Sequence, residues 1–316
     1  MNEEVIIPPY LKPGDLVGVT APASRVRYQD CETGLQVLRN QWDLETLEGA
    51  TLHESHFQYS ATDEQRRLEL QKMLDNPGIR AILAARGGYG CSRIVEDLDF
   101  TQFIKSPKWL VGFSDLTVFL SHLNCLGFAA LHAPMVKTMA NEGGEQGMES
   151  LRKALFGEPL AYDIPSHLFN RLGVGQGQVT GGNLCLLAHM IGSESAVDMA
   201  GKILFIEDIN EYLYNIDRMM IQLKRAGQLQ NLAGLVVGQF TDARDNAEPA
   251  FGKTAYEIIL DHTQDYDYPI CFDFPVGHVA DNRALPVGMR ATLGVGEGGA
   301  SLNYDGAARA VVNYEL

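Results

Sequence analysis

The sequence predicts an α/β protein, with an N-terminal doubly wound parallel sheet followed by a second, smaller α/β or β-rich C-terminal unit. Short apolar runs alternate with helical patterns through the first half of the 316-residue chain. The connections between them are short. Polar or glycine-rich turns stand where three of the apolar runs end, at 21–24, 86–90 and Ser114-Asp115. Functional groups of open parallel sheets gather at such strand ends.

Residues 16–20 (LVGVT) read as a buried strand, stopped by the turn Ala21-Pro22-Ala23-Ser24. A helix is expected over 28–40 and a strand over 44–47. Thr62-Asp63-Glu64-Gln65 is a capping box opening a helix with Leu68, Leu70, Met73 and Leu74. Asn76-Pro77-Gly78 ends it. A strand follows at 79–85, stopped by Arg86-Gly87-Gly88-Tyr89-Gly90. A short helix runs through Ile94 and Leu98. The strand 109–113 leads into a helix over 115–126, and 128–131 closes the run.

The segment 167–177 is irregular and glycine-rich and reads as a linker. It divides the chain into 1–166 and 178–316. In the second part, Gly181-Gly182-Asn183 precedes a helix to Ile191. Strands at 203–206 and 235–237 enclose a helix over 216–226. Turn-rich, strand-like sequence follows, including 291–294 and 310–314.

Composition narrows the function. With 25 Lys and Arg against 40 Asp and Glu, the formal net charge is −15. That argues against nucleic acid as the main partner, because phosphate binding needs a basic face. The N-terminus is acidic where a secretory signal is basic, and its apolar run is short. No apolar stretch reaches bilayer length. A cytoplasmic location with no membrane partner is therefore expected. The five cysteines are odd in number and form no C-x-x-C, so neither a disulfide framework nor a structural zinc site is expected.

Ser114 is the best nucleophile candidate. A serine at a sharp strand-to-helix turn projects its hydroxyl above the sheet, beside free N–H groups at the helix start. The strict G-x-S-x-G elbow is not met, and an ordinary N-cap serine is the competing reading. The Gly87-Gly88 pair can aim backbone N–H groups at a ligand as a second oxyanion donor. A plain tight turn or a phosphate-binding turn competes, although no phosphate-loop fingerprint is present. Among eight histidines, His278 stands in the punctuated turn Phe274-Pro275-Val276-Gly277-His278, a natural place for a general base. His122 and His189 fall inside helices and read as packing or surface residues. Glu207-Asp208 follows the strand 203–206, and either carboxylate can orient a histidine.

Five blocks in order carry a family resemblance: Arg86 to Gly90; Gly112-Phe113-Ser114-Asp115-Leu116-Thr117; Gly181-Gly182-Asn183-Leu184; Glu207-Asp208-Ile209-Asn210-Glu211; and Gly277-His278. Together they resemble the LD-carboxypeptidase family of serine peptidases, which includes the microcin C immunity peptidases. The resemblance implies a triad of Ser114, His278 and Glu207, choosing Glu207 over Asp208. It implies oxyanion donors from the backbone of Asp115 and Gly88, and a homodimer. The implied substrate is a small peptide with a free carboxylate: a murein tetrapeptide losing D-alanine in one branch, a peptidyl nucleotide in the other. The compact stretch between Pro134 and Gly181 favours the murein branch. Arg86 is a candidate to grip the substrate carboxylate or to pin the glycine loop. Gly87 and Asn183 are candidates to line the pocket. The chemistry needs no metal or cofactor. A non-catalytic peptide- or sugar-binding protein on the same scaffold is the competing class, and a nucleotide-dependent enzyme is disfavoured.

Overall fold

A computed structural model describes residues 5–305. The expected strand at 310–314 lies outside the described residues.

The elements run β1 (Leu16–Thr20), α1 (Glu32–Gln36), β2 (Glu45–Glu48), α2 (Asp63–Asp75), β3 (Ile79–Ala84), α3 (Thr101–Lys105), β4 (Trp109–Gly112), α4 (Thr117–Cys125), β5 (Ala130–His132), α5 (Glu145–Phe156) and β6 (Ala161–Pro165). They continue with β7 (Gly173–Asn183), α6 (Leu184–Met190), β8 (Ile203–Ile209), α7 (Leu213–Arg225), β9 (Gly234–Thr241), α8 (Ala255–Thr263), β10 (Ile270–Cys271), β11 (Leu285–Val287), β12 (Arg290–Gly296) and β13 (Gly299–Tyr304).

Two sheets form, with orders β11-β5-β4-β3-β1-β2 and β10-β9-β8-β7-β12-β13-β6. In the first, β2, β1, β3, β4 and β5 are parallel and only β11 runs antiparallel. The order reverses between β1 and β3, the kind of switch point beside which sites form. The second sheet is parallel from β7 to β10 and antiparallel from β7 through β12 and β13 to β6.

The near-continuous apolar runs follow from burial of both strand faces. Val17, Val19, Ala81, Leu83, Trp109 and Val111 join one buried cluster. Their alternating neighbours Ile82, Ala84 and Leu110 join another. Each cluster also takes residues from β8 and β9, so the two sheets share continuous apolar layers.

Local signals act as the sequence predicts. Thr62 and Gln65 form their reciprocal capping box at α2. The C-terminus of α2 is closed by buried Lys108, whose Nζ donates to the carbonyls of Met73, Leu74 and Asn76 at 3.2, 2.6 and 2.7 Å. Burial lowers its pKa to about 8.

The chain also exchanges strands between the sheets. β6, from the first half, edges the second sheet, and β11, from the second half, edges the first. Residues 173–177, expected as linker, open β7 and pair with β12. The segment between β10 and β11 therefore passes from one sheet to the other, and it carries His278.

Candidate active site

Ser114 stands two residues beyond β4, in a single 3-10 turn (Ser114–Leu116) that feeds α4. Its φ is 63°, in the left-handed region that non-glycine residues seldom occupy. Such strain persists where the surroundings over-determine it. An ordinary N-cap serine is extended, so the backbone separates the two readings of this residue.

The surroundings are the two other strand-end turns. Ser24 donates its N–H to the Gly87 carbonyl at 3.2 Å, and its Oγ accepts from Tyr89 N–H at 3.1 Å. Gly88 has φ 104°, and a Cβ there would collide with Ser24 Oγ. Buried Arg66 braces the loop from beneath, donating to the carbonyls of Pro22 and Gly90. The buried Asp115 carboxylate accepts from Cys91 N–H at 2.8 Å, tying the glycine loop to the serine turn. A Cβ on Gly87 would lie 3.1 Å from Ser114 Cβ and 3.4 Å from Asp115 N.

Glu207 comes from β8, opposite Asn183 of β7. The β8–β9 register shifts between Ile206 and Asp208, and such irregularities re-aim side chains. Glu207 and Asp208 are both buried within the strand. Consecutive strand residues face opposite ways. Glu207 Oε2 meets His278 Nδ1 at 2.8 Å, and His278 Nε2 meets Ser114 Oγ at 3.0 Å. Asp208 faces elsewhere, accepting from Asn183 Nδ2, Cys185 N–H and Ile209 N–H at 2.8, 2.9 and 2.8 Å. Burial, reinforced by the neighbouring Glu207 charge, raises its pKa to about 7.

His278 is placed by Gly277, whose φ is 120°. A Cβ there would lie 2.8 Å from both Cβ and Oε2 of Glu207. Gly277→Ala should displace the carboxylate and strain the loop. We expect kcat to fall by about 100-fold, the scale on which misplacement of about 1 Å acts. Steady-state kinetics with a thermal melt checks this, because a loss of stability alone would leave the kcat of the folded fraction intact.

Other candidates are placed differently. Asn183 is buried with both side-chain polar atoms engaged: Oδ1 accepts from Leu186 N–H at 3.2 Å, capping α6, and Nδ2 donates to Asp208. Arg86 donates from Nη1 to the Arg25 carbonyl at 2.8 Å, which favours its loop-pinning role. His122 is buried against Ser195, with Nδ1 3.1 Å from Ser195 Oγ, and His189 is exposed, as packing or surface roles require.

Arg66 and His132 are side chains to which sequence reasoning gave no role. His132 ends β5 and is fully buried. Burial lowers its pKa to about 4. In the unfolded chain it takes a proton near pH 6.5. Between pH about 6.5 and 4 the unfolded state therefore binds more protons, and stability falls as pH falls. The contribution is on the order of 3 kcal/mol across that window. Urea midpoints at pH 7 and 4.5 should draw together in His132→Phe relative to the parent; an unchanged gap would contradict the assignment.

Residues 17–133 match the family model described as LD-carboxypeptidase N-terminal domain, and residues 176–293 match the LD-carboxypeptidase C-terminal domain. The chain is 33% identical to a probable murein peptide carboxypeptidase of Bacillus subtilis, over 92% of each chain. It is similar to the crystal structure of a muramoyltetrapeptide carboxypeptidase from Oxalobacter formigenes, with TM-score 0.82, 29% identity and coverage of 92% of this chain and 98% of that one. It also shares the fold of the microcin C7 self-immunity protein MccF in complex with aspartyl sulfamoyl adenosine, with TM-score 0.83, 20% identity and coverage of 96% and 99%. The chain belongs to the LD-carboxypeptidase family and is a hydrolase with a carboxypeptidase function.

Proposed function

We propose that the protein is a serine carboxypeptidase hydrolysing an L,D amide bond, releasing terminal D-alanine from a murein tetrapeptide. The observation that carries this reading is the unbroken line from Ser114 Oγ through His278 to Glu207, at 3.0 and 2.8 Å. With His278 neutral, Nδ1 donates to Glu207 Oε2 and Nε2 accepts from the Ser114 hydroxyl. Ser114 Oγ attacks the scissile carbonyl as Nε2 takes its proton. Glu207, fully buried, fixes the tautomer and stabilises the imidazolium. The N–H groups of Asp115 and Gly88, which have no acceptor among the described residues, receive the oxyanion. Protonated His278 then donates to the leaving amine of D-alanine, and water resolves the acyl-enzyme with His278 again as base. The Phe113 ring, 4.9 Å from the His278 ring, is an apolar wall on the imidazole. Gly87 places no side chain against Ser114, where a Cβ would lie 3.1 Å from the serine Cβ. The free edge of the Arg86 guanidinium is the candidate partner for the substrate carboxylate. On this reading the enzyme acts in the cytoplasm as a homodimer, in wall recycling.

The murein substrate is favoured by the relatives in Bacillus subtilis and Oxalobacter formigenes, which are named for murein peptides. The fold of MccF supports a second reading, cleavage of an aminoacyl or peptidyl nucleotide. The two separate in one assay. Murein tetrapeptide and an aspartyl sulfamoyl nucleoside are offered in parallel, and released D-alanine and free amino acid are measured. D-Alanine release with the nucleoside intact supports the proposal; cleavage of the nucleoside alone contradicts it.

A further inference from the structure

Behind the line of Ser114, His278 and Glu207 lies a second polar layer that the hydrolytic steps leave unused. His132 is paired in register with Gly112 of β4, two residues before Ser114, and with Leu285 of β11. Its ring stands edge-on to Phe205 at 5.0 Å and 5.7 Å from Phe113, the same ring that borders His278. Asn282 is also buried. Its Oδ1 accepts from Gly277 N–H at 2.9 Å, and Gly277 packs on Glu207. Burial lowers the His132 pKa, and the Glu207 charge and the Asn282 side chain oppose that shift.

Four buried atoms of this layer make no hydrogen bond in the structure: Glu207 Oε1, both ring nitrogens of His132, and Asn282 Nδ2. Buried polar groups in folded proteins are paired almost without exception, directly or through ordered water. Here the inventory is complementary. A neutral imidazole offers one donor and one acceptor, the amide nitrogen is a donor and the carboxylate oxygen an acceptor. Any residue without both functions would leave one of the outer groups unmatched.

We infer that His132 is a positioning residue for Glu207: one ring nitrogen accepts from Asn282 Nδ2, and the other donates its N–H to Glu207 Oε1, directly or through one ordered water. All four atoms are then paired. Glu207 is held at both oxygens, Oε2 by His278 and Oε1 by His132, and cannot rotate away from the imidazole it orients. The relay runs on through Asn282 to Gly277, the residue that sets the His278 backbone. Burial keeps His132 neutral, which the relay requires, and spares His278 a cationic neighbour when it holds the serine proton. The kinetic consequences rest on the triad proposed above; the contact itself does not.

The test is His132→Phe, which keeps an aromatic ring and removes both nitrogens. A residue that only fills space would tolerate this change, with kcat unaltered. A positioning role predicts a folded variant whose kcat falls about 10- to 100-fold with KM unchanged, the scale on which outer partners of a functional histidine act. His132→Gln and His132→Asn, which retain an amide donor, should recover part of the loss. The second readout needs no turnover. In a Ser114→Ala background, the deshielded Nδ1 proton resonance of His278 should move upfield when His132→Phe is added, as its carboxylate partner loosens. A folded His132→Phe variant with parental kcat, or an unmoved resonance, overturns the inference. Loss of the peptidase reading itself would show as absent D-alanine release in the parent, and the resonance would still decide the contact.

Discussion

Replacing Ser114 by alanine is expected to lower kcat about 10⁴-fold or more, with the fold intact and substrate binding nearly unchanged. On the proposed mechanism the Ser114 hydroxyl forms the covalent bond to the substrate, and loss of a triad member typically has this effect. The left-handed backbone at residue 114 is as unfavourable for alanine as for serine, so the change adds little strain. The Gly88 and Asp115 N–H groups remain, and a residual rate above the uncatalysed reaction should persist through them. Steady-state kinetics on the tetrapeptide, with an equilibrium binding measurement on the variant, separates kcat from binding. Undiminished turnover would remove the serine mechanism.

Glu207→Gln should cost about as much, near 10⁴-fold in kcat, although it preserves shape. The glutamine amide can donate to His278 Nδ1. The imidazole proton then resides on Nε2, which can no longer accept from Ser114. On the proposed mechanism the buried carboxylate also offsets the charge on His278 in the transition state, and a neutral amide does this weakly. Asp208→Asn is the contrasting variant. Asp208 does not touch His278, and its partners Asn183, Cys185 and Ile209 lie on its own side of β8. Its loss should act on stability and leave kcat within a few-fold. Equal kinetic losses at both positions would argue against Glu207 as the orienting group.

Much of this architecture was legible in the sequence, for identifiable reasons. The strands of the first half carry apolar side chains on both faces, because both faces are covered, and such runs are hard to mistake. The capping box at Thr62 and the turns after β1, β3 and β4 are local chemistry and read directly. Residues 173–177 misled because Gly-Val-Gly-Gln-Gly resembles a connection, yet β7 uses those glycines where neighbouring backbone crowds. A Cβ on Gly175 or Gly177 would strike the carbonyl of Ala233 or Gly201. That crowding is tertiary and leaves no local trace.

The same limit applies at the site. The strand-end serine, the acidic pair and the turn histidine are each visible, but 164 residues separate Ser114 from His278. Their meeting depends on β11 crossing to the first sheet. Periodicity cannot report that crossing; the order of the five blocks does so only through family resemblance. His132 was invisible for a different reason. A histidine after an apolar strand looks like many packing histidines. Only the unpaired atoms around it, in Glu207 and Asn282, give it a role.

The most direct test of the central claim is covalent. A fluorophosphonate reacts fastest with a serine whose proton is being removed, so rapid labelling reports the line from serine to imidazole without any assumption about substrate. Intact-mass and peptide mass spectrometry should find one adduct, on Ser114, forming many times more slowly in His278→Ala. A D-alanine-releasing enzyme that carries its adduct elsewhere, or that labels at the parental rate without the imidazole, would contradict the account.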